Sequence, residues 1–473
     1  MDTLVSFGKA GRDELPSLMI SPSGIRGIWG EGLRPEVARA AALAFARYTG
    51  AEMIVARDTR PSGSRLVEEV IAGFKLAGVP VSYVGIVPTP VAIWYARKTE
   101  RAGVVVSGSH NEPQWNGLKF FMKQGMWPTD DQVAQYVGLI KIEDSNPQTT
   151  EGAREEDALG PYVRFVLDNV EHEVVKKRRP KVVVDAAGGA GAIATPLILS
   201  SMGARVSVIN DKLGNFTRRM EPVPSALGAL VETVRSNGAS VGFAHDCDAD
   251  RLTLVDERGN ALQPDLTLAL VSDNVLSTAG QGSKIVVNVA SSRIFQDIAS
   301  ARRAELVFSR VGEGHVVRKM VDVNAVVGGE GSSGGVIMPS LNLTRDGVLA
   351  SGLITQLVAS GQSVASFASG LKRYHSMSER IPRGNQDLER VFSWLSQMSE
   401  GATISRLDGM RLDWPDGWGL LRTSNTEPVF VLVAEAETRK RAEQIFSTMK
   451  QALRNGRTAL PSRNSTCLDP SKS

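Results

Sequence analysis

Cysteine is almost absent: the 473 residues contain two, Cys247 and Cys467. Two cysteines cannot staple a chain of this length, so a disulfide scaffold is excluded and a reducing compartment is the natural setting. Aromatic residues are sparse, at 6%. No apolar run approaches the ~20 residues that cross a bilayer. The opening MDTLVSFGKAGRDELPSLMI mixes charges of both signs and has no apolar stretch of the signal-peptide kind. An excess of one charge is missing too: 54 basic against 51 acidic residues leave a net +3. That is too little, over this length, for nucleic-acid binding by bulk electrostatics. These absences predict a soluble cytoplasmic protein with no nucleic-acid or membrane partner, a monomer or homodimer.

What is present is ordinary globular material, 42% apolar and 22% charged. The length predicts roughly three or four domains. Short β-rich runs recur three at a time. The first set is Ile54–Ala56, Val81–Val84 and Val104–Val106; the second is Val182–Val184, Val206–Ile209 and Val241–Ala244; the third is Ile285–Val287, Leu306–Phe308 and Ala325–Val327. Helix-compatible segments lie between the first two runs of each set, at Ser64–Ala77, Ala192–Met202 and Ser292–Ala301. Strands alternating with helices predict three α/β domains with mixed, mainly parallel sheets. Beyond them, Gly409–Trp414, Gly417–Arg422 and Val429–Ala436 read as antiparallel strands, and Thr438–Asn455 as an amphipathic helix. The predicted architecture is therefore three similar α/β domains and a smaller C-terminal α+β domain around a central cleft. The expected boundaries are 1–150, 151–260, 261–372 and 373–460, with a polar, disordered tail expected over 461–473. Linkers are expected near 145–160, 258–264 and 370–385.

The third strand of each set ends in a polar loop: Ser107-Gly-Ser-His-Asn-Glu112, His245-Asp-Cys-Asp-Ala-Asp-Arg251 and Gly328-Gly-Glu-Gly-Ser-Ser-Gly-Gly335. Ligands of open α/β sheets bind beyond the carboxyl ends of strands, so the three loops could share one site. Asp246, Asp248 and Asp250 alternate in a tight loop that leaves one strand and precedes another at Leu252–Asp256. Three such carboxylates can converge on a hard cation, and three protein oxygens favour Mg²⁺ over Ca²⁺. The bland reading is a solvated acidic turn. Ser109 is a candidate nucleophile that needs a base or metal to activate it; otherwise it is a turn serine. Lys119, in Asn116-Gly-Leu-Lys119, could meet a phosphate. Arg422-Thr-Ser-Asn-Thr-Glu-Pro428 could form an anion nest. The segments Ser21-Pro-Ser-Gly-Ile-Arg26-Gly27 and Arg57-Asp-Thr-Arg60-Pro-Ser-Gly63 add two more cationic loops. A metal loop, a serine loop and several cationic loops together point to phosphoryl transfer on a phosphorylated metabolite.

These segments resemble the α-D-phosphohexomutase superfamily over about residues 18–455, with the motifs in family order. VVVSGSHNEPQWNGLKFF resembles its phosphoserine motif, HDCDADRL its metal loop, GGEGSSGG its sugar loop and RTSNTEP its phosphate loop. The resemblance implies that Ser109 is phosphorylated in the active enzyme and that Asp246, Asp248 and Asp250 hold Mg²⁺ with a phosphoserine oxygen. It implies that Lys119 and His110 surround the transferring group, Lys119 as a candidate proton carrier, with Arg26 and Arg251 on phosphoryl or substrate. Glu330 and Ser332 would bond sugar hydroxyls, and Arg422, Ser424, Asn425 and Thr426 would grip the non-reacting phosphate. His315 is a candidate sugar contact or an ordinary surface histidine. The implied reaction exchanges hexose 6-phosphate and hexose 1-phosphate through a bisphosphate, with hexose 1,6-bisphosphate as activator. GGEGSSGG is most similar to loops of the phosphoglucosamine and phosphomannose branches. The expected activity is phosphoglucosamine mutase, with phosphomannomutase or phosphoglucomutase as the alternative. A metal-dependent phosphatase or a non-catalytic phosphosugar binder is the reading from other classes. Two departures carry weight. Cys247 stands where the family has Gly, which requires a backbone there without positive φ. Gly334 stands where some relatives have His, so no side chain is present for that role.

Overall fold

The computed structural model describes residues 18–142, 152–384, 386–424 and 429–456. The chain divides into two compact units, Met1–Lys372 and Arg373–Ser473. The first holds three sheets. One has seven strands: β1 (Met19–Ser21), β2 (Gly24–Ile28), β3 (Met53–Arg57), β4 (Val81–Ile86), β5 (Ala102–Val106), β6 (Trp115–Phe121) and β7 (Arg154–Glu155), in the order β1-β2-β6-β5-β3-β4-β7. The second has β8 (Lys181–Asp185), β9 (Arg205–Ile209), β10 (Val241–His245) and β11 (Leu252–Asp256), in the order β11-β10-β8-β9. The third has β12 (Lys284–Asn288), β13 (Glu305–Ser309), β14 (Val327–Glu330) and β15 (Gly335–Ile337), in the order β13-β12-β14-β15.

All three sheets share one plan. The first strand of each predicted set lies between the second and third, parallel to both, and a fourth strand runs antiparallel outside the third. The central strands are covered on both faces by helices, so they read as nearly unbroken Val and Ile. The fourth strand is what positions the polar loops. It turns each one into a hairpin between strands three and four, so the three loops occupy equivalent positions in three equivalent sheets.

Local chemistry explains the elements around the first sheet. The helix Pro35–Thr49 starts with proline in its first turn and ends on Gly50 in the left-handed region, φ 60°. A reciprocal capping box between Thr129 and Gln132 starts Asp130–Val137. Phe45 and Phe120 stack at 4.6 Å, with Tyr136 edge-on to both, and these rings centre the core of that domain.

One expectation is corrected. The third strand of the third set, expected at Ala325–Val327, runs Val327–Glu330. Its glycines are strand, not loop: a Cβ on Gly328 would lie 2.1 Å from the Val286 carbonyl oxygen, and one on Gly329 1.9 Å from that of Gly335. The expected linker at 258–264 takes the form of a tight turn whose Asp256 carboxylate accepts from the Arg258 and Asn260 backbone. The linker expected near 145–160 lies partly outside the described residues, and its end is an edge strand. Ser82 and Tyr83 of β4 pair with Arg154 and Glu155, and Glu156 accepts from Ser82 Oγ (2.8 Å), Tyr95 (3.0 Å) and both Nη atoms of Arg101 (2.7 and 3.1 Å). The Arg101 guanidinium holds the Glu156 carboxyl at a pKa of about 2, down from 4.5. A carboxylate depressed on folding stabilises the fold above its unfolded pKa, and that contribution is lost as pH falls through the folded one. Glu156→Gln should therefore cost about 1.5–3 kcal/mol near pH 7. In urea titrations the gap to wild type should close between about pH 4.5 and 2; a gap independent of pH would show that the charge at Glu156 contributes nothing.

The second unit is a five-stranded antiparallel sheet with two helices. Its strands are β16 (His375–Pro382), β17 (Thr403–Ser405), β18 (Met410–Trp414), β19 (Gly417–Thr423) and β20 (Val429–Ala436), in the order β16-β20-β19-β18-β17. Leu388–Gln397 and Arg439–Asn455 supply the apolar residues that pack on it. The three strands and the helix expected here lie within one residue of their observed bounds. Across the described residues no single helix is long and apolar enough to cross a membrane; the apolar helix Gly347–Ala359 is mostly buried.

Candidate active site

The strand-three to strand-four hairpins of the first two domains meet. Ser109 Oγ donates to Asp246 Oδ2 at 2.9 Å across 137 residues of chain. Asp246, Asp248 and Asp250 offer oxygens all within 4.8 Å of one another. The structure buries all three aspartates completely, so the loop is not a solvated acidic turn. The burial is imposed by neighbours from the other domains. The Thr89 hydroxyl donates to Asp248 Oδ2, and the Thr89 N–H to the Asp248 carbonyl at 3.0 Å. Lys119, from β6, places Nζ 2.6 Å from Asp248 Oδ2 and 3.1 Å from Asp250 Oδ2. Arg345, from the third domain, donates to Asp250 Oδ2 at 2.8 Å.

The remaining oxygens make the case for a cation. Asp248 Oδ1 and Asp250 Oδ1 are buried and accept no hydrogen bond. A buried carboxylate oxygen without a partner is costly, and two of them converging beside a third carboxylate and a serine hydroxyl form a donor set suited to one hard divalent ion. Burial, with the charges of Asp250 and Asp248 beside it, raises the Asp246 carboxyl well above the usual carboxylate range. Burial alone would raise Asp250 as well, but Arg345, Lys119 and Arg251 outweigh it and hold that carboxyl low. Three acids this close cannot all ionise cheaply without a counter-ion, which a bound divalent cation would supply.

Around the acids lies a cationic rim. Arg26 Nη1 donates to Asn111 Oδ1 at 3.2 Å, and Arg251 Nη1 to Glu221 at 3.2 Å with its Nε 3.8 Å from Asp246. Burial, then Arg251, Arg26 and Arg345, hold the His110 imidazole well below its ordinary value, so it is neutral near pH 7, and its Nδ1 meets no partner. Burial pulls the Lys119 ammonium down, but Asp248 and Asp250 outweigh it and keep it charged. Three guanidiniums, a neutral imidazole and the buried ammonium can together bind a phosphoryl group and neutralise its charge.

The backbone of the serine loop is itself specialised. Ser109 has φ 49°, a left-handed conformation that costs a non-glycine residue roughly 1 kcal/mol or more. Cys247 is not among the residues with positive φ, which is why a side chain replaces Gly there; Ala249 takes that conformation instead, at φ 53°. Gly334 does need its freedom, with φ 68° and an added Cβ 2.1 Å from the Leu252 carbonyl oxygen. No side chain fits at that position.

The other predicted residues divide. Glu330 ends β14, where its carboxylate accepts from Asn288 (3.0 Å), the Gly312 N–H (2.9 Å) and Arg345 Nη1 (3.1 Å). Ser332 is exposed in the turn after it. His315 lies in the helix Glu313–Val323 with Nε2 3.8 Å from Asp130 and a side chain 18% exposed, so it is not a surface histidine. In the C-terminal unit Arg422 is buried with Nε 3.1 Å from Asp408, and the Ser424 N–H donates to Val429. Asn425 and Thr426 lie outside the described residues. Sequence reasoning missed Thr89, Asp58 and above all Arg345, which joins Asp250, Glu313 and Glu330. It grouped Arg60 with the phosphate-binding cations; the structure overturns that, because every donor of Arg60 is spent on protein atoms.

Known proteins match this chain along most of its length. Models of the phosphoglucomutase/phosphomannomutase α/β/α domains I, II and III match residues 19–146, 160–259 and 263–374. The model of that family's C-terminal domain matches residues 382–452. A phosphoglucomutase/phosphomannomutase of Thermococcus kodakarensis is 34% identical over 437 residues, 89% of this chain and 95% of that one. A probable phosphoglucosamine mutase of Pyrococcus abyssi is 31% identical, over 92% of this chain and 97% of that one. The crystal structure of a phosphoglucomutase/phosphomannomutase family protein from Burkholderia thailandensis superposes with a TM-score of 0.79 at 27% identity, covering 92% of this chain and 98% of that one.

Proposed function

The chain belongs to the phosphoglucomutase/phosphomannomutase family and is a phosphohexomutase, and from that premise we propose that it interconverts glucosamine 6-phosphate and glucosamine 1-phosphate through phosphorylated Ser109. The observation that carries the mechanism is Ser109 Oγ 2.9 Å from Asp246, at the mouth of an acid cluster with two orphaned oxygens. The sugar is supported by relatives named as probable phosphoglucosamine mutases, at 31% and 33% identity in Pyrococcus abyssi and Methanothermobacter thermautotrophicus, and by the sugar loop. The family is Mg²⁺-dependent, and Asp246, Asp248, Asp250 and a Ser109 oxygen would hold the ion, which supplies charge neutralisation to the transferring phosphoryl group.

The residues then divide the work. In transfer from the enzyme, the bond between phosphorus and Ser109 Oγ breaks and one to a sugar hydroxyl forms; Ser109 leaves with a proton and the hydroxyl gives one up. Lys119 holds a proton at Nζ, against Asp248 and Asp250 of the metal loop, and is assigned as the proton carrier. Arg26, Arg251 and His110 surround the phosphoryl oxygens. Glu330 and Ser332 are assigned to sugar hydroxyls, and His315 is a further candidate sugar contact. Arg422, Ser424, Asn425 and Thr426 are assigned to the non-reacting phosphate. The same residues serve either end of the bisphosphate, which must turn over before it escapes. Hexose 1,6-bisphosphate is the corresponding activator, because it rephosphorylates Ser109.

The test is a panel of glucosamine, mannose and glucose 6-phosphates with Mg²⁺ and catalytic hexose 1,6-bisphosphate, each assayed for 1-phosphate and for inorganic phosphate. Glucosamine 6-phosphate should give the highest kcat/KM, with little phosphate released. A preference for mannose or glucose phosphate would move the assignment to the other branch, and release of phosphate as the main product would make the protein a phosphatase.

A further inference from the structure

Among the buried charged residues that the mechanism does not use, Arg60 lies beside the nucleophile. Arg60 is completely buried, and a guanidinium has five N–H donors. Nε donates to Asp58 Oδ2 at 3.2 Å. Nη1 donates to the carbonyls of Glu112 (2.6 Å) and Trp115 (2.8 Å), and Nη2 to those of Ser109 (2.8 Å) and Asn111 (2.6 Å). No donor remains for a phosphate. All four carbonyls belong to the serine loop and its exit into β6.

The contacts close into a ring around the nucleophile. The Ser109 carbonyl is held by Arg60, and the Ser109 N–H by Ser107 Oγ at 2.9 Å. Ser107 Oγ in turn donates to Asp58 Oδ2 at 2.7 Å, the oxygen that Arg60 Nε also contacts. Both faces of a left-handed, strained peptide are thus fixed by one ion pair, and strain of this kind persists only where its surroundings over-determine it. The same turn reaches the second domain: Thr59 Oγ1 donates to the Gly188 carbonyl at 2.7 Å and lies 3.6 Å from Cys247 Sγ, inside the metal loop.

We propose that Arg60 is a positioning residue for phosphoryl transfer: with Asp58 and Ser107 it fixes Ser109 in the left-handed conformation that presents Oγ to the aspartate cluster, and it takes no part in binding substrate or cation. The proposal rests on the phosphoserine mechanism. A lysine at this position keeps the charge opposite Asp58 but cannot reach four carbonyls, so the nucleophile is displaced while the cation and sugar sites stay intact. Misplacement of about 1 Å costs on the order of 10²-fold in rate.

Arg60→Lys is therefore compared with wild type in three readouts: kcat and KM for the preferred hexose 6-phosphate, the rate at which dephosphorylated enzyme gains one phosphoryl group from glucose 1,6-bisphosphate by intact mass, and Mn²⁺ binding. The expected result is a loss of about 10²-fold in kcat and in the phosphorylation rate, with KM and Mn²⁺ affinity unchanged. If wild type itself gains no phosphoryl group, the phosphoserine reading fails first. If wild type is phosphorylated and Arg60→Lys matches it, or if KM rises and Mn²⁺ affinity falls along with kcat, the positioning role is overturned. Should Arg60→Lys not fold, Gly108→Ala decides alone. Its Cβ would press to 2.7 Å from Arg60 Cζ and 2.8 Å from Nε, displacing the guanidinium from the serine loop without removing its charge. The same split is expected from it, and an unchanged phosphorylation rate would overturn the proposal.

Discussion

Ser109→Ala should bind hexose phosphate and fail to turn it over, with activity down at least about 10⁴-fold, as when a covalent nucleophile is removed elsewhere. The variant should remain folded. Alanine tolerates the left-handed backbone about as well as serine does, and the two backbone bonds to Ser107 and Arg60 do not involve the hydroxyl. Only the bond from Oγ to Asp246 is lost, worth about 1.5–3 kcal/mol if that carboxylate is charged and less if it keeps its proton. Purified wild type should carry a variable fraction of one phosphoryl group on the peptide containing Ser109, and the variant none. Dephosphorylated wild type should be inactive with monophosphate alone and recover on adding hexose 1,6-bisphosphate. Near-wild-type mutase activity in Ser109→Ala would remove the covalent mechanism and the assignment of this loop with it.

Much of this is legible in the sequence where the chemistry is contiguous. The β-branched runs at Val104–Val106 and Val182–Val184 announce buried parallel strands because nothing polar interrupts them. Trp115–Phe121 gives no such signal. It carries Asn116, Gly117 and Lys119, polar or small residues that a buried strand excludes unless they are paired, and their partners lie elsewhere: Ser62 for Asn116, and Asp248 and Asp250 for Lys119. Of the fourth strands only Leu252–Asp256 is legible, and missing those of the first and third sheets hides that all three loops are equivalent hairpins. The acid triad and Ser109 can be named because each sits within a motif of a few residues. Arg345 cannot. Its partners Asp250 and Glu313 are 95 and 32 residues away, and in sequence it is one arginine among many. Arg60 is visible but easily misread, since a cation in a Gly-Ser loop looks the same whether its donors meet a phosphate or four carbonyls.

Asp248→Asn should be the other variant with a large effect, through the cation. Wild-type activity should disappear in excess chelator and return with Mg²⁺. In the variant, added Mg²⁺ should restore little, with activity lower by at least about 10²–10³-fold, the scale of one lost electrostatic stabiliser. Two causes act together. Removing the charge weakens the cation's hold, since Oδ1 of Asp248 is one of the two orphaned oxygens. The amide also disturbs the other side of the residue, where Asp248 Oδ2 accepts from both Lys119 and Thr89. An amide nitrogen turned that way would face two donors, so the oxygen must stay there and the N–H₂ group must point toward the cation. The result is a site that offers a donor where a metal needs an acceptor. Mn²⁺ binding, followed directly, should weaken in parallel with activity, while the fold survives because Lys119 keeps Asp250 and the Thr89 N–H keeps the Asp248 carbonyl. Undiminished Mn²⁺ affinity in Asp248→Asn would place the cation elsewhere, and full wild-type activity in excess chelator would remove it from the reaction.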